Sequence, residues 1–143
     1  MCQQSPPGSL PSALADHLRD ERFAIVTSVR GLPLGVRDAM QQLFGSSDLD
    51  IADPGAAFQG NGHVDAALPL RRLVAAGCSR DHHCLVYYER GGGSQTRHVA
   101  LFLWTPESTR FEWGGIAPGG LGTIDDVRAA ALSGRITAPA GPW

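Results

Sequence analysis

The sequence predicts an α+β fold, an antiparallel β-meander of about four strands packed with two N-terminal helices and one C-terminal helix. Three observations predict it. Between Arg71 and Trp113, three apolar runs are separated by polar or glycine-rich breaks of about five residues and followed by a fourth short run, which is hairpin spacing. Ahead of that stretch, Leu10, Leu14 and Leu18 recur at four-residue steps, the period of a helix with one buried stripe. Behind it, Thr123 stands three residues before Asp126 at the start of "IDDVRAAAL", a near capping box that opens a final helix.

In chain order, residues 1–9 read as a flexible tether, 10–136 as one domain and 137–143 as a flexible tail. The first helix spans Ser9 to Glu21, with Pro11 harmless in its first turn and His17 solvated among Asp16, Arg19, Asp20 and Glu21. "FAIVTSV", from Phe23 to Val29, is β-branched and apolar and reads as a strand. Pro33 then opens a second helix whose buried side is Leu34, Val36, Met40, Leu43 and Phe44, and Gly45 ends it. From Ser46 to Pro69 the periodicity breaks down around the turn signals "DPG" and "NG". Asp48, Asp50 and Asp53 lack the glycine and distal glutamate of a calcium loop and read as solvated carboxylates. A loop this long in a compact domain is often functional, so this segment and its His63 are the first place to look for a partner-binding surface.

The meander can be registered residue by residue. If Gly91 to Gln95 form the second hairpin's loop, Arg90 faces Thr96, Glu89 faces Arg97, Tyr88 faces His98, and the ladder runs down to Cys84 opposite Phe102. Leu85, Tyr87, Val99, Leu101 and Leu103 then share one face, and Val86, Tyr88, Ala100, Phe102 and Trp104 the other. Both faces are apolar, so both need cover. In the first hairpin, "LVAAGC" and "CLVYYE" flank "SRDHH", which sets Cys78 directly opposite Cys84. Opposed Cβ atoms lie about 4.5–5.5 Å apart, within a modest twist of a disulfide. "CSRDHHC" also holds two thiols and two imidazoles, but it lacks the paired short spacings of a zinc site, and alternation turns His83 away from Cys84. The disulfide is therefore the favoured expectation, two free buried thiols the alternative, and no metal is expected.

At 143 residues, 43% hydrophobic, 18% charged and a net charge of −2, the chain fits one globular domain without a field to recruit nucleic acid. The longest uninterrupted apolar run is the six residues of "VALFLW", far short of the roughly 20 of a membrane helix. "MCQQSPPGS" resembles the mature end of a bacterial lipoprotein, with Cys2 as the acylated residue ahead of a flexible tether. That resemblance implies export and a lipid anchor as the one contact with a membrane. It also accounts for the odd cysteine, since two of the three pair and the third carries lipid.

No reaction can be read from these residues. Cys84 with His82 and His83 fails as a nucleophile because the disulfide consumes its thiol. The glycines of "GGIAPGGLG" match no dinucleotide or phosphate-loop fingerprint and read as the flexible approach to the last helix, so no cofactor is expected. Tyr88 opposite His98 is the one polar pair on an apolar face. It reads first as a buried hydrogen bond and otherwise as the floor of a ligand pocket or a proton-transfer pair. Arg71, Arg72 and Arg90 gather at one end of the sheet if Arg72 faces Arg90, which calls for carboxylates from the Asp48–Asp53 loop or an anionic partner. The favoured expectation is a small exported envelope protein with a non-enzymatic protein-binding role of the inhibitor or immunity type. The alternative is an enzyme or ligand carrier with a pocket at Tyr88, His98 and the arginines.

Overall fold

The computed structural model describes residues 9–60 and 65–143. Three helices and a mostly antiparallel sheet make an α+β fold: α1 (Ser12–Asp20), β1 (Phe23–Val26), a 3-10 turn (Val29–Gly31), α2 (Leu34–Phe44), β2 (Ile51–Ala52), β3 (Arg71–Ser79), β4 (His83–Arg90), β5 (Thr96–Trp104), β6 (Thr109–Ile116) and α3 (Ile124–Leu132). The strand order is β1-β3-β4-β5-β6, with β2 pairing in parallel to the start of β3. Beyond the four strands of the meander, the predicted "FAIVTSV" strand joins the sheet at its edge, and a two-residue strand inside the long loop is an addition to the expected set.

Helix boundaries follow the local chemistry. Pro33 precedes α2 and Gly45 closes it in the left-handed region at φ 68°. Thr123 and Asp126 complete a reciprocal capping box on α3, satisfying donors that the first turn leaves without partners. Leu34 departs from expectation: it is exposed, because the buried stripe of α2 starts two residues later at Val36 and continues through Met40.

The second hairpin pairs as the sequence predicts, from Arg90 opposite Thr96 to Cys84 opposite Phe102. Its loop needs glycine at position 91, where a Cβ would fall 1.6 Å from the Gln59 carbonyl oxygen. The first hairpin sets Cys78 opposite Cys84, and the two form a disulfide across Cα atoms 4.1 Å apart. A bulge at Val74 then shifts the register, so that Arg71 faces Arg90 and Arg72 faces Glu89.

Both sheet faces are covered. Leu85, Tyr87, Val99 and Leu101 pack with Leu18 of α1 and Val127, Ala130 and Ala131 of α3. Val86, Tyr88, Ala100 and Phe102 pack with Val36 and Met40 of α2 and with Leu32. The two N-terminal helices therefore sit on opposite faces, because β1 carries the chain around the sheet edge between them. The segment expected as a flexible tail instead packs against the sheet: Thr137 bridges Ile116, and the Trp143 ring lies 5.4 Å from Phe111 and 5.8 Å from His98 between centroids. No helix among the described residues is long and apolar enough to cross a membrane. Cys2 and His63 lie outside the described residues.

The disulfide closes a loop with a sequence separation of 6, for which chain entropy gives a contribution of about 2 kcal/mol. Urea unfolding with and without reductant is expected to differ by about that amount, and the Cys78→Ser, Cys84→Ser double variant should match the reduced protein. Thiol titration of the denatured, unreduced protein should find one reactive cysteine of the three.

Candidate functional site

Two groups of polar side chains are built into the ends of the β3–β4 hairpin. The first contains most of the residues singled out from the sequence. Arg71 and Arg90 meet across the strands beside Tyr88 and His98, with Tyr88 1%, His98 2% and Arg71 3% exposed. Like charges opposed on a ladder repel, and the surroundings offset this. Arg71 donates from Nε and one terminal nitrogen to the Trp143 carbonyl oxygen at 2.9 and 2.7 Å, approaches the Asp50 carboxylate at 3.5 Å, and lies 4.0 Å over the Phe44 ring. Arg72 leaves the group. It pairs with Glu89, its Nε 2.8 Å from Oε1, and sits 4.3 Å over the Phe58 ring.

The expected carboxylate from the loop is thus Asp50 for Arg71, while Arg72 finds its counter-ion on the neighbouring strand because the Val74 bulge moved it one step. Neither Asp50 nor Asp53 is a free carboxylate: Asp50 accepts from the Leu70 amide at 3.0 Å and Asp53 from the Val29 amide at 2.7 Å. They fasten the long loop to the 3-10 turn after β1 and to the residue that leads into β3.

Tyr88 and His98 face each other, but stacked rather than hydrogen-bonded, with centroids 5.2 Å apart and ring planes at 20°. The His98 Nε2 pairs instead with the Thr96 hydroxyl two residues away on the same face, at 2.8 Å. The Tyr88 hydroxyl and the Arg90 Nε are buried without a partner of good hydrogen-bond geometry among the described residues. Burial drives the Tyr88 hydroxyl far above the usual phenol range against the opposing pull of Arg71 and Arg90. Burial, reinforced by those same guanidiniums, holds the His98 imidazole down at about 4. His98 is therefore neutral at pH 7, and a cationic imidazole here would face two cations.

The second group lies at the hairpin's turn end. His17 lies in the last turn of α1 and Glu21, four residues on, is the residue that caps it. Glu21 is 6% exposed and reaches the hairpin. Its Oε1 accepts from the Ser79 hydroxyl and pairs with His83 Nδ1 at 2.9 Å, while Oε2 contacts His17 Nδ1. The His83 amide donates back to the Ser79 Oγ at 3.1 Å. Burial raises the affinity of Glu21 for a proton, but the Ser79 hydrogen bond, the His83 hydrogen bond and charge, and the His17 hydrogen bond outweigh it and hold the carboxyl below its usual range. His17 is thus a member of a network rather than a solvated surface residue, although its side chain remains 50% exposed.

This second group was missed from the sequence. Its local signal was the four-residue spacing of His17 and Glu21; the third member, His83, lies 62 residues beyond Glu21. A groove of about 630 Å³ opens beside it, lined by Asp16, His17, Asp20, Glu21, Asp81 and His82 among others. No family model, curated protein or solved structure matches the chain. What the site can do therefore has to be argued from its own atoms.

For His98 the folded value lies below the unfolded value, so its contribution is fully present above the unfolded value and is lost as pH falls. A shift from 6.5 to about 4 corresponds to on the order of 3 kcal/mol when complete. Unfolding free energy is expected to decline between about pH 6.5 and pH 4, and the decline should be shallower in His98→Gln when both proteins are titrated with urea across that range.

Proposed function

We propose that this chain is a small exported protein of the bacterial envelope, tethered through Cys2, with a non-enzymatic protein-binding role of the inhibitor or immunity type. The observation that carries the binding role is Ile25. It is 73% exposed on β1, the sheet's edge strand, next to an exposed Ala24. An open edge presents unpaired amide and carbonyl groups to another chain. On the same face lies an apolar groove of about 200 Å³, lined by Ile25, Val26, Pro54, Val74, Ala76 and Ile124 among others.

The occupant of this surface is an extended segment of another protein, added as a strand outside β1 with an apolar side chain in the groove. Pairing with β1 of a second copy would be limited to four residues, a short ladder for a stable interface. A heterologous segment can run past β1 into the groove. The disulfide supports the exported address, since such bridges persist in oxidising compartments. The ligand-carrier alternative is disfavoured by the burial of Tyr88, His98 and Arg71 beneath Trp143, which a ligand would have to displace.

A photo-crosslinking residue at position 25, introduced in the native host, is expected to capture one envelope protein. The purified partner should bind the wild type at least about tenfold more tightly than Ile25→Asp, a loss of about 1.4 kcal/mol, with thermal unfolding unchanged. Adducts only with a second copy of the chain, or equal affinity for Ile25→Asp, would overturn the binding surface. Recovery of an unacylated product from the cytoplasm would overturn the address.

A further inference from the structure

We infer that His17, Glu21 and His83 form a binding site for a divalent transition-metal ion, best suited to Zn²⁺, that clips α1 to the β3–β4 hairpin. The site is independent of the β1 surface. One ligand atom from each residue, a ring nitrogen of each imidazole and a carboxylate oxygen, falls within 4.8 Å of the others, and both histidines turn Nδ1 toward the carboxylate. Zinc bonds to nitrogen and carboxylate oxygen of about 2.0–2.2 Å require tetrahedral ligand atoms roughly 3.4 Å apart. Adjustments on the scale of an ångström suffice, and the half-exposed His17 is free to make them.

The donor set argues for the metal class. Two imidazole nitrogens with one carboxylate suit zinc and its first-row neighbours, whereas calcium and magnesium demand more oxygens. Three protein ligands leave a fourth position to water or to a group from the adjoining groove.

The supporting shell is also in place. The Ser79 hydroxyl donates to the Glu21 carboxylate and is itself held by the His83 amide, and Arg128 donates to the Glu21 carbonyl oxygen at 2.9 Å. Bonds of this kind fix ligand orientation in metal sites. The carboxylate is nearly buried, and its Oε2 has no partner of good hydrogen-bond geometry among the described residues, although His17 Nδ1 is in contact with it. A cation placed between the three satisfies it along with both imidazoles.

The test uses metal-free, full-length protein in a Cys2→Ser background, so that no free thiol competes, titrated with Co²⁺ and then with Zn²⁺. One equivalent of Co²⁺ per chain should give the visible bands of a four- or five-coordinate ion without a thiolate charge-transfer band, and Zn²⁺ should displace it and raise the unfolding temperature. His17→Ala, at a half-exposed position, and the isosteric Glu21→Gln should keep the near-UV dichroism of the fold and lose roughly tenfold or more in affinity. Asp20→Ala, on the groove wall, should bind as the wild type does. The proposal is overturned by the absence of saturable binding at micromolar metal, by an unchanged isotherm in His17→Ala, or by an equal loss in Asp20→Ala, which would mark diffuse attraction to the acidic groove.

Discussion

Strand β4 is buried on both of its faces, and the rest of the structure follows from that constraint. Seven of its eight residues are buried, with Leu85 and Tyr87 directed to one side and Val86 and Tyr88 to the other. A strand in that position needs a neighbour on each edge and a layer over each face. The edges are met by β3 and β5. The faces are met by α1 with α3 on one side and by α2 on the other, so the chain must cross the sheet plane between α1 and α2. Strand β1 is the crossing. It pairs with only the last four residues of β3 and leaves its outer edge open, and the exposure of Ile25 results from the route the chain has to take.

An apolar middle also decides where polar chemistry can sit. With the centre of β4 and β5 given to aromatic and aliphatic side chains, charged groups are displaced to the two ends of the β3–β4 hairpin, about 26 Å apart at roughly 3.3 Å per residue. The ends are resolved differently. At one, Arg71 is closed over by Phe44, Asp50 and Trp143 and becomes part of the packed interior, with Arg90 half-buried opposite it. At the other, a buried anion is held between two imidazoles, one of them half exposed beside a groove. The closed end is a stability element whose titratable group, His98, is kept neutral. The open end has a route for a ligand.

Much of this was legible in the sequence because it was encoded locally. Hairpin register followed from loop length and alternation, which placed Cys78 against Cys84 and every pair from Arg90 to Cys84 against its partner on β5. Helix ends followed from Pro33, Gly45 and the Thr123–Asp126 box. What was not legible depended on contacts without a local marker. The bulge at Val74 carries no glycine or other sign, yet it alone moved Arg72 from Arg90 to Glu89. The placement of α1 and α2 on opposite faces depended on β1 pairing with β3, some fifty residues later. The packing of 137–143 depended on Trp143 finding Arg71, a separation of 72 residues. The His17 and Glu21 pair was visible as a helical spacing, but its meaning rests on His83, which only the folded hairpin delivers.

The disulfide connects these observations in a way its energy does not convey. Cys78 and Cys84 belong to the face packed under α2, whereas their chain neighbours Ser79 and His83 turn to the opposite face, where Glu21 waits. The bridge therefore lies on the other face from the triad and still fixes His83 and its supporting Ser79 through the backbone. Glu21 is tied independently by Arg128 from α3. Three elements thus hold the carboxylate and one imidazole rigidly, and His17 alone keeps freedom on a half-exposed helix end. A site preorganised in two ligands with the third mobile can admit an ion from the groove and then close on it, because the ordering entropy of Glu21 and His83 has already been spent in folding.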